Sequence, residues 1–245
     1  MRGRQLVRHT GTVTSNGHPD SRGNSTQPGH EPSTVPMSCI ALAGGKATRL
    51  GRDKAFENIG HSSLLHRVLA CLSYYGGEIT VVTAAKKLLP QLDDFPGLKI
   101  TTDIYPNKGP LGGIHSGLTA SNSLHNLVVA CDMPFLNRAF MSYLMQLSDG
   151  FDIVIPRFNG MVEPLHAIYS KECLAAMEHL LNLGRLSLLQ LLKLVRVRYV
   201  ESEEIDKFDP EHLSFLNINT EADLERARKL LAANDGPDKE LTSAL

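Results

Sequence analysis

Four charged side chains stand where short apolar runs break into loops rich in glycine or proline: Arg49 and Lys54 after residues 39–43, Asp103 after 98–102, and Asp132 after 127–131. Arg49 and Lys54 belong to Leu42-Ala43-Gly44-Gly45-Lys46-Ala47-Thr48-Arg49-Leu50-Gly51-Arg52-Asp53-Lys54, where an apolar run feeds a Gly-Gly turn and then a basic loop. A strand that opens into glycines exposes backbone N–H groups to phosphates. The P-loop requires a glycine five residues before its Gly-Lys pair and a Ser or Thr after it. Ile40 and Ala47 occupy those positions, so that loop is excluded, and no G-x-G-x-x-G follows the run either. What remains is a nucleoside-triphosphate loop of another design. In it Arg49 and Lys54 meet the phosphates, or else they are solvated surface cations.

The other candidates also have two readings each. Asp132 directly follows an apolar run. It can hold Mg²⁺, a hard cation that takes one or two carboxylates plus phosphate oxygens and water, or it can cap the turn that Pro134 tightens. Asp103 can accept from a ribose hydroxyl or a base amine, or cap its own turn. Gly112-Gly113 lets backbone approach a ligand closely. Glu163, His166 and Tyr169 fall on a returning strand, where spacing assigns His166 no catalytic role. Asn217 and Asn219 fall on one face of an extended segment, and taken alone they read first as turn chemistry ahead of Thr220.

The elements that must position these residues alternate in type. Strands are predicted over 39–43, 79–83, 98–102, 127–131, 152–155 and 197–200. A helix capped by Ser62 or Ser63 carries Leu64, Leu65, Val68, Leu69 and Leu72 at the 3.6-residue period and stops at Gly76-Gly77. A glycine loop over 109–113 precedes a short helix toward Ala120. Further helices are predicted over 138–147, 171–181, 186–192 and from Thr220 to about Ala233, the last opened by a Thr-x-x-Asp capping box. Asn159-Gly160 predicts a hairpin that returns through Pro164 to Tyr169. Repeated strand–helix units imply an α/β, three-layer fold: a mostly parallel twisted sheet with helices on both faces and a late antiparallel hairpin. Ligands bind such sheets beyond the C-terminal ends of the strands, which selects the loops 44–54, 103–113 and 132–134.

Composition narrows the class. Of the 245 residues, the first 36 are half Gly, Pro, Ser or Thr and almost devoid of apolar side chains, too little to offset the entropy of ordering. This stretch reads as a disordered tail or an over-extended start ahead of Met37. A transit peptide is the alternative, but no helical spacing accompanies its arginines. Residues 37–235 read as a single domain and 236–245 as a frayed end. No apolar run approaches the ~20 residues that cross a bilayer, and a net charge of −1 gives no footprint for nucleic acid. The four cysteines, Cys39, Cys71, Cys131 and Cys173, form no C-x-x-C pair and read as small buried hydrophobes of a reducing, cytoplasmic compartment.

Five segments in order, the loop from Leu42 to Lys54, Gly109-Pro110-Leu111-Gly112-Gly113-Ile114, Cys131-Asp132-Met133-Pro134-Phe135, Glu163-Pro164-Leu165-His166-Ala167 and Asn217-Ile218-Asn219-Thr220, resemble the motifs of the molybdenum cofactor guanylyltransferases. The resemblance covers about residues 38–233. It implies a fold of the nucleotide-diphospho-sugar-transferase kind and transfer of GMP from Mg²⁺-bound GTP to the phosphate of molybdopterin, with or without its molybdenum, releasing pyrophosphate. By the same resemblance Leu42, Ala43, Gly44, Gly45 and Lys54 hold the nucleotide, Asp103 and Gly112 lie against it, and Asp132 binds Mg²⁺. Glu163, Asn217 and Asn219 belong to the pterin side, and molybdenum-insertion proteins or acceptor molybdoenzymes are the implied docking partners. Two departures stand out. Leu50 replaces a methionine of similar volume, and Ala84-Ala85 stand where relatives often place a nucleotide-contacting Asn.

Cytidylyl transfer to the same cofactor, nucleotidyl transfer to a sugar 1-phosphate, and a non-catalytic nucleotide or cofactor carrier compete with this reading. Related cytidylyltransferases tend toward Ala-Ala-Gly in the first loop and lack an Asp before the lysine, so Gly44-Gly45 and Asp53-Lys54 favour guanine. A carrier has no need of the Asp132 carboxylate.

Overall fold

The computed structural model of the chain describes residues 37–44, 54–84, 92 and 94–234. The tail expected over 1–36 and the frayed end over 236–245 lie outside the described residues. The first strand, β1 (Ser38–Leu42), is apolar on both faces. A small antiparallel pair, β2 (Asn58–Ile59) and β3 (Ser62–Ser63), leads into α1 (Leu64–Leu72). The Ser63 hydroxyl caps this helix by accepting the His66 N–H at 3.2 Å. A 3₁₀ turn then extends it to Gly76, whose φ of 65° is left-handed. Next come β4 (Ile79–Thr83), β5 (Lys99–Thr102), α2 (Gly109–Ala120), β6 (His125–Ala130) and α3 (Arg138–Gln146), capped by Asn137.

The later half runs β7 (Ile153–Phe158), β8 (Met161–Val162) and β9 (His166–Ser170). The Asn159-Gly160 turn between β7 and β8 has φ of 49° and 75°, the left-handed pair that two-residue hairpins need. Then follow α4 (Leu174–Asn182), α5 (Leu188–Leu191), β10 (Val197–Glu201), α6 (Ser202–Ile205) and α7 (Glu221–Asn234). The box at the start of α7 is made as expected: Asp223 Oδ2 accepts the Thr220 N–H at 2.8 Å and Thr220 Oγ1 accepts the Asp223 N–H at 3.2 Å.

The strands form one sheet in the order β10-β7-β9-β6-β1-β4-β5, with β8 paired to β7. β5, β4, β1 and β6 are mutually parallel, as are β7 and β10, and β9 runs against both β6 and β7. The alternation along β1 shows the layers. Cys39 and Ala41 pack with Leu65, Leu69, Phe140 and Met141 of α1 and α3, while Ile40 packs with Leu111, Ile114 and Leu118 of α2 and with Met177 and Leu180 of α4. The fold is therefore the three-layer α/β sandwich that the alternating elements imply. α7 closes one end by burying Leu224 and Ala227 against Ile59, Leu64 and Ile218. No helix among the described residues is long and apolar enough to cross a membrane.

The glycine stretch 109–113 departs from expectation: it is the first turn of α2, not a loop. Each interior glycine costs a helix about 1 kcal/mol relative to alanine. Leu111, Ile114 and Leu118 are completely buried, and each contributes about 1.5–3 kcal/mol, so packing overrides propensity. The glycines are there for close approach. A Cβ on Gly117 would stand 2.5 Å from Ile40 Cγ2, so the helix lies almost against the sheet. The hairpin β2–β3 and the short α6 carry no long hydrophobic period, and the helix expected over 186–192 shrinks to the single turn of α5. Cys39, Cys131 and Cys173 are buried thiols and Cys71 is half-buried, none of them in a disulfide.

Candidate functional site

β1, β4 and β6 end at one level, with Leu42 registered against both Val82 and Ala130. Backbone bonds join the strand ends beyond that level. Ala43 N–H donates to the Val82 carbonyl at 2.8 Å, Cys131 N–H to the Leu42 carbonyl at 3.1 Å, and Asp103 N–H to the Thr83 carbonyl at 2.8 Å. Over these ends opens a cavity of about 470 Å³, lined by residues 42–44 at the end of β1, Lys54, residues 82–84 at the end of β4, Asp103, the start of α2, and Asp132 after β6. Its position is the one the strand-end rule selects in an open parallel sheet. The cavity is large enough for a nucleotide.

One end of the cavity is charged. The Lys54 ammonium donates to Asn219 Oδ1 at 2.5 Å and stands 3.9 Å from Asp132 Oδ2. The Asp132 carbonyl accepts the Ile218 N–H at 2.9 Å, so the segment before α7 is fastened to the Asp132 turn. Asp132 Oδ1 is buried and has no hydrogen-bond partner among the described residues. Burial pushes the Asp132 carboxyl above its ordinary pKa, and the Lys54 ammonium opposes that push. A buried carboxylate oxygen left unpartnered in a cleft is a costly arrangement, and a hard cation would satisfy it. Among the described residues no group of three His, Cys, Asp or Glu side chains could hold a metal by itself.

Among the described residues the other end is neutral apart from Asp103. Its Oδ1 accepts the Tyr105 N–H at 2.9 Å, so the turn-capping reading holds for that oxygen. Oδ2 makes no hydrogen bond among the described residues. Just past the ends of β1 and β4, Gly44 lies against Ala84: a Cβ on Gly44 would reach 3.2 Å from the Ala84 nitrogen. Ala84 brings only a methyl group to the cavity wall.

The structure thus gathers Leu42, Ala43, Gly44, Lys54, Asp103 and Asp132 around one cavity. Gly45 and Arg49, with Leu50 and Ala85, lie outside the described residues. Gly112 does not line the cavity. It faces Tyr105, whose carbonyl oxygen would stand 2.9 Å from a Cβ there, and Gly113 is the glycine that meets the cavity. Asn217 and Asn219 part company: Asn219 reaches Lys54, while Asn217 Nδ2 bonds locally to the Phe215 carbonyl at 3.5 Å. Glu163 is half-buried outside the cavity wall, and burial raises its carboxyl pKa. Sequence reasoning missed Asn107, which lines the cavity with a left-handed φ of 64°. The Pro106-Asn107 pair was its turn signal.

His166 is a core residue, fully buried between Phe140 and Phe215 with ring centroids 5.5 and 5.4 Å away. Burial lowers its pKa to about 4, against weaker support from the Ser214 carbonyl and Asp209. The folded state holds the ring neutral while the unfolded chain protonates near pH 6.5, so this contribution to stability is complete above 6.5 and is lost as pH falls toward 4. Urea unfolding at pH 7 and pH 5 is expected to show a loss of about 2 kcal/mol from this residue alone. In His166→Leu that part of the slope is absent, whatever the variant's baseline stability. An unchanged slope would refute the assignment.

A parallel-sheet cleft with a lysine and a half-buried aspartate at one end and a second carboxylate at the other suits a nucleotidyltransferase, and the sequence shows that class. The sequence over residues 39–199 matches the MobA-like NTP transferase domain, and the chain belongs to that family. Among its relatives, the molybdenum cofactor guanylyltransferase of Syntrophotalea carbinolica is 36% identical over 194 residues, 78% of this chain and 90% of that protein. The crystal structure of molybdopterin-guanine dinucleotide biosynthesis protein A from Archaeoglobus fulgidus superposes with a TM-score of 0.70 at 29% identity, covering 80% of this chain and all of the other.

Proposed function

We propose that this chain transfers GMP from GTP to the terminal phosphate of molybdopterin, forming molybdopterin guanine dinucleotide and pyrophosphate. The observation that carries the reading is the pairing of Lys54 with Asp132 at the end of a nucleotide-sized cleft, in a chain 36% identical to a guanylyltransferase along nine-tenths of that protein's length. Residues 37–235 make up the catalytic domain in this reading.

Phosphoryl transfer needs positioning and charge stabilisation more than covalent help. Asp103 takes a hydroxyl or N–H donor at the nucleoside end, and the backbone at Ala43 and Gly44 meets the phosphates. Lys54, steered by Asn219, neutralises charge that builds on the triphosphate oxygens, a task Arg49 shares. Asp132, whose Oδ1 has no partner among the described residues, is the residue that would hold Mg²⁺. When bound, Mg²⁺ supplies Lewis-acid polarisation of the phosphates. Glu163 and Asn217 serve the pterin substrate, and the product passes to insertion proteins or acceptor molybdoenzymes.

The base preference is tested directly by incubating the protein with Mg²⁺ and molybdopterin against GTP, CTP and ATP in turn. The GMP adduct is expected to form at least about a hundredfold faster than the others, the range that buried hydrogen-bond recognition reaches. A CMP adduct without a GMP adduct would overturn the reading in favour of the cytidylyl alternative.

A further inference from the structure

Ser116 lies one helical turn beyond Gly112 in α2 and is completely buried. Its Oγ stands 3.0 Å from Asp103 Oδ1 and 2.8 Å from the Gly112 carbonyl oxygen, and it accepts the Ile104 N–H at 2.8 Å. A serine hydroxyl has one proton to give. Both acceptors lie within bonding distance, so the proton is shared between the Gly112 carbonyl and the Asp103 carboxylate, the stronger acceptor of the two, and a lone pair takes the Ile104 N–H. Asp103 Oδ1 then accepts twice, from Ser116 and from the Tyr105 N–H at 2.9 Å. Two bonds to one oxygen stop the carboxylate turning about its last torsion. The other oxygen makes no bond among the described residues, which leaves it free to accept from a ligand in the cavity that Asp103 lines.

We propose that Ser116 is a positioning residue for nucleotide binding. By saturating one oxygen of Asp103 it fixes the direction of the second, and so selects a hydroxyl or N–H donor on the ligand at a set place in the cleft. The same hydroxyl ties the backbone after β5 to α2, so the carboxylate and the Gly113 wall of the cavity move as one unit. The proposal rests on reading this cleft as the GTP site with Asp103 as a nucleotide contact. A buried hydroxyl is costly unless it is bonded, and the acceptor here is a charged one.

Steady-state kinetics of Ser116→Ala test it. The KM for GTP is expected to rise about tenfold, as loss of a hydrogen bond to a charged group predicts. Turnover should stay within about twofold, and the KM for molybdopterin should not move. In an Asp103→Ala background the Ser116→Ala effect should vanish, because Ser116 acts through that carboxylate. A merely structural serine would add its cost in either background. Ser116→Cys, nearly the same size and a weaker donor, should fall between wild type and alanine, and it replaces the alanine variant in the cycle if that variant folds poorly. An unchanged KM for GTP in Ser116→Ala, or equal effects with and without Asp103, overturns the proposal while leaving the GTP site intact. If Asp103→Ala itself leaves GTP affinity unchanged, Asp103 is no nucleotide contact, and the proposal falls with that reading.

Discussion

Asp132→Ala should lower turnover at least about a thousandfold, some 4 kcal/mol of lost transition-state stabilisation, while GTP affinity falls only several-fold. The backbone groups and Lys54 that hold the nucleotide are untouched by the substitution. What disappears is the carboxylate whose Oδ1 is buried without a partner among the described residues and whose ionised form burial disfavours. Such a group costs the fold more than it returns, so the variant should melt at the same temperature as wild type or slightly higher, the usual signature of a residue kept for activity. Asp132→Asn preserves the shape and removes the charge, and it should lose as much turnover as alanine. Single-turnover formation of molybdopterin guanine dinucleotide, alongside GTP titration and thermal melting, reads all three quantities. Asn turnover close to wild type would mean that Asp132 works by hydrogen bonding and turn geometry, and the cation-holding role would be wrong.

The sheet and the site were unevenly legible in the sequence, for physical reasons. β1, β4 and β6 are apolar on both faces, so their runs and the loops that end them stood out without any tertiary knowledge. Asp132 and Lys54 could be picked because polar residues follow those runs, and Asp103 because it ends the weaker run over 98–102. α2 was obscured by its own composition, since its glycines lower helix propensity, while the contacts that demand them (Ile40 for Gly117, Tyr105 for Gly112) are distant in sequence or on another element. For the same reason Gly112 looked like a ligand glycine. Ser116 had no signal at all: a serine amid small residues gives no hint that an aspartate thirteen positions earlier lies beside it. The link between Lys54 and Asn219 spans 165 residues and was equally hidden. Asn217 and Asn219 shared a motif, and only the folded chain separates their partners.

That separation gives Asn219 a testable role. Lys54→Ala should lower kcat/KM for GTP by about two to three orders of magnitude, the usual cost of removing a group that stabilises developing charge. Asn219→Ala leaves the ammonium in place but frees it from the 2.5 Å bond that directs it, so a smaller loss of about tenfold is expected. Because the two residues act as a unit, the double variant should be no worse than Lys54→Ala alone. The rival assignment, Asn219 as a contact for the pterin, makes a different forecast: its loss would multiply with that of Lys54 and would surface in the KM for molybdopterin. Geometry favours the first. The side chain of Asn219 accepts from Lys54, its backbone N–H is held by Asp223 at 3.0 Å, and the neighbouring Ile218 N–H is fastened to the Asp132 carbonyl. Asn219 is thereby fixed from the α7 side and the Asp132 side at once, which suits a post that aims a flexible lysine. Additive losses, or a rise confined to the molybdopterin KM, would return Asn219 to the pterin side and leave Lys54 aimed by Asp132 alone.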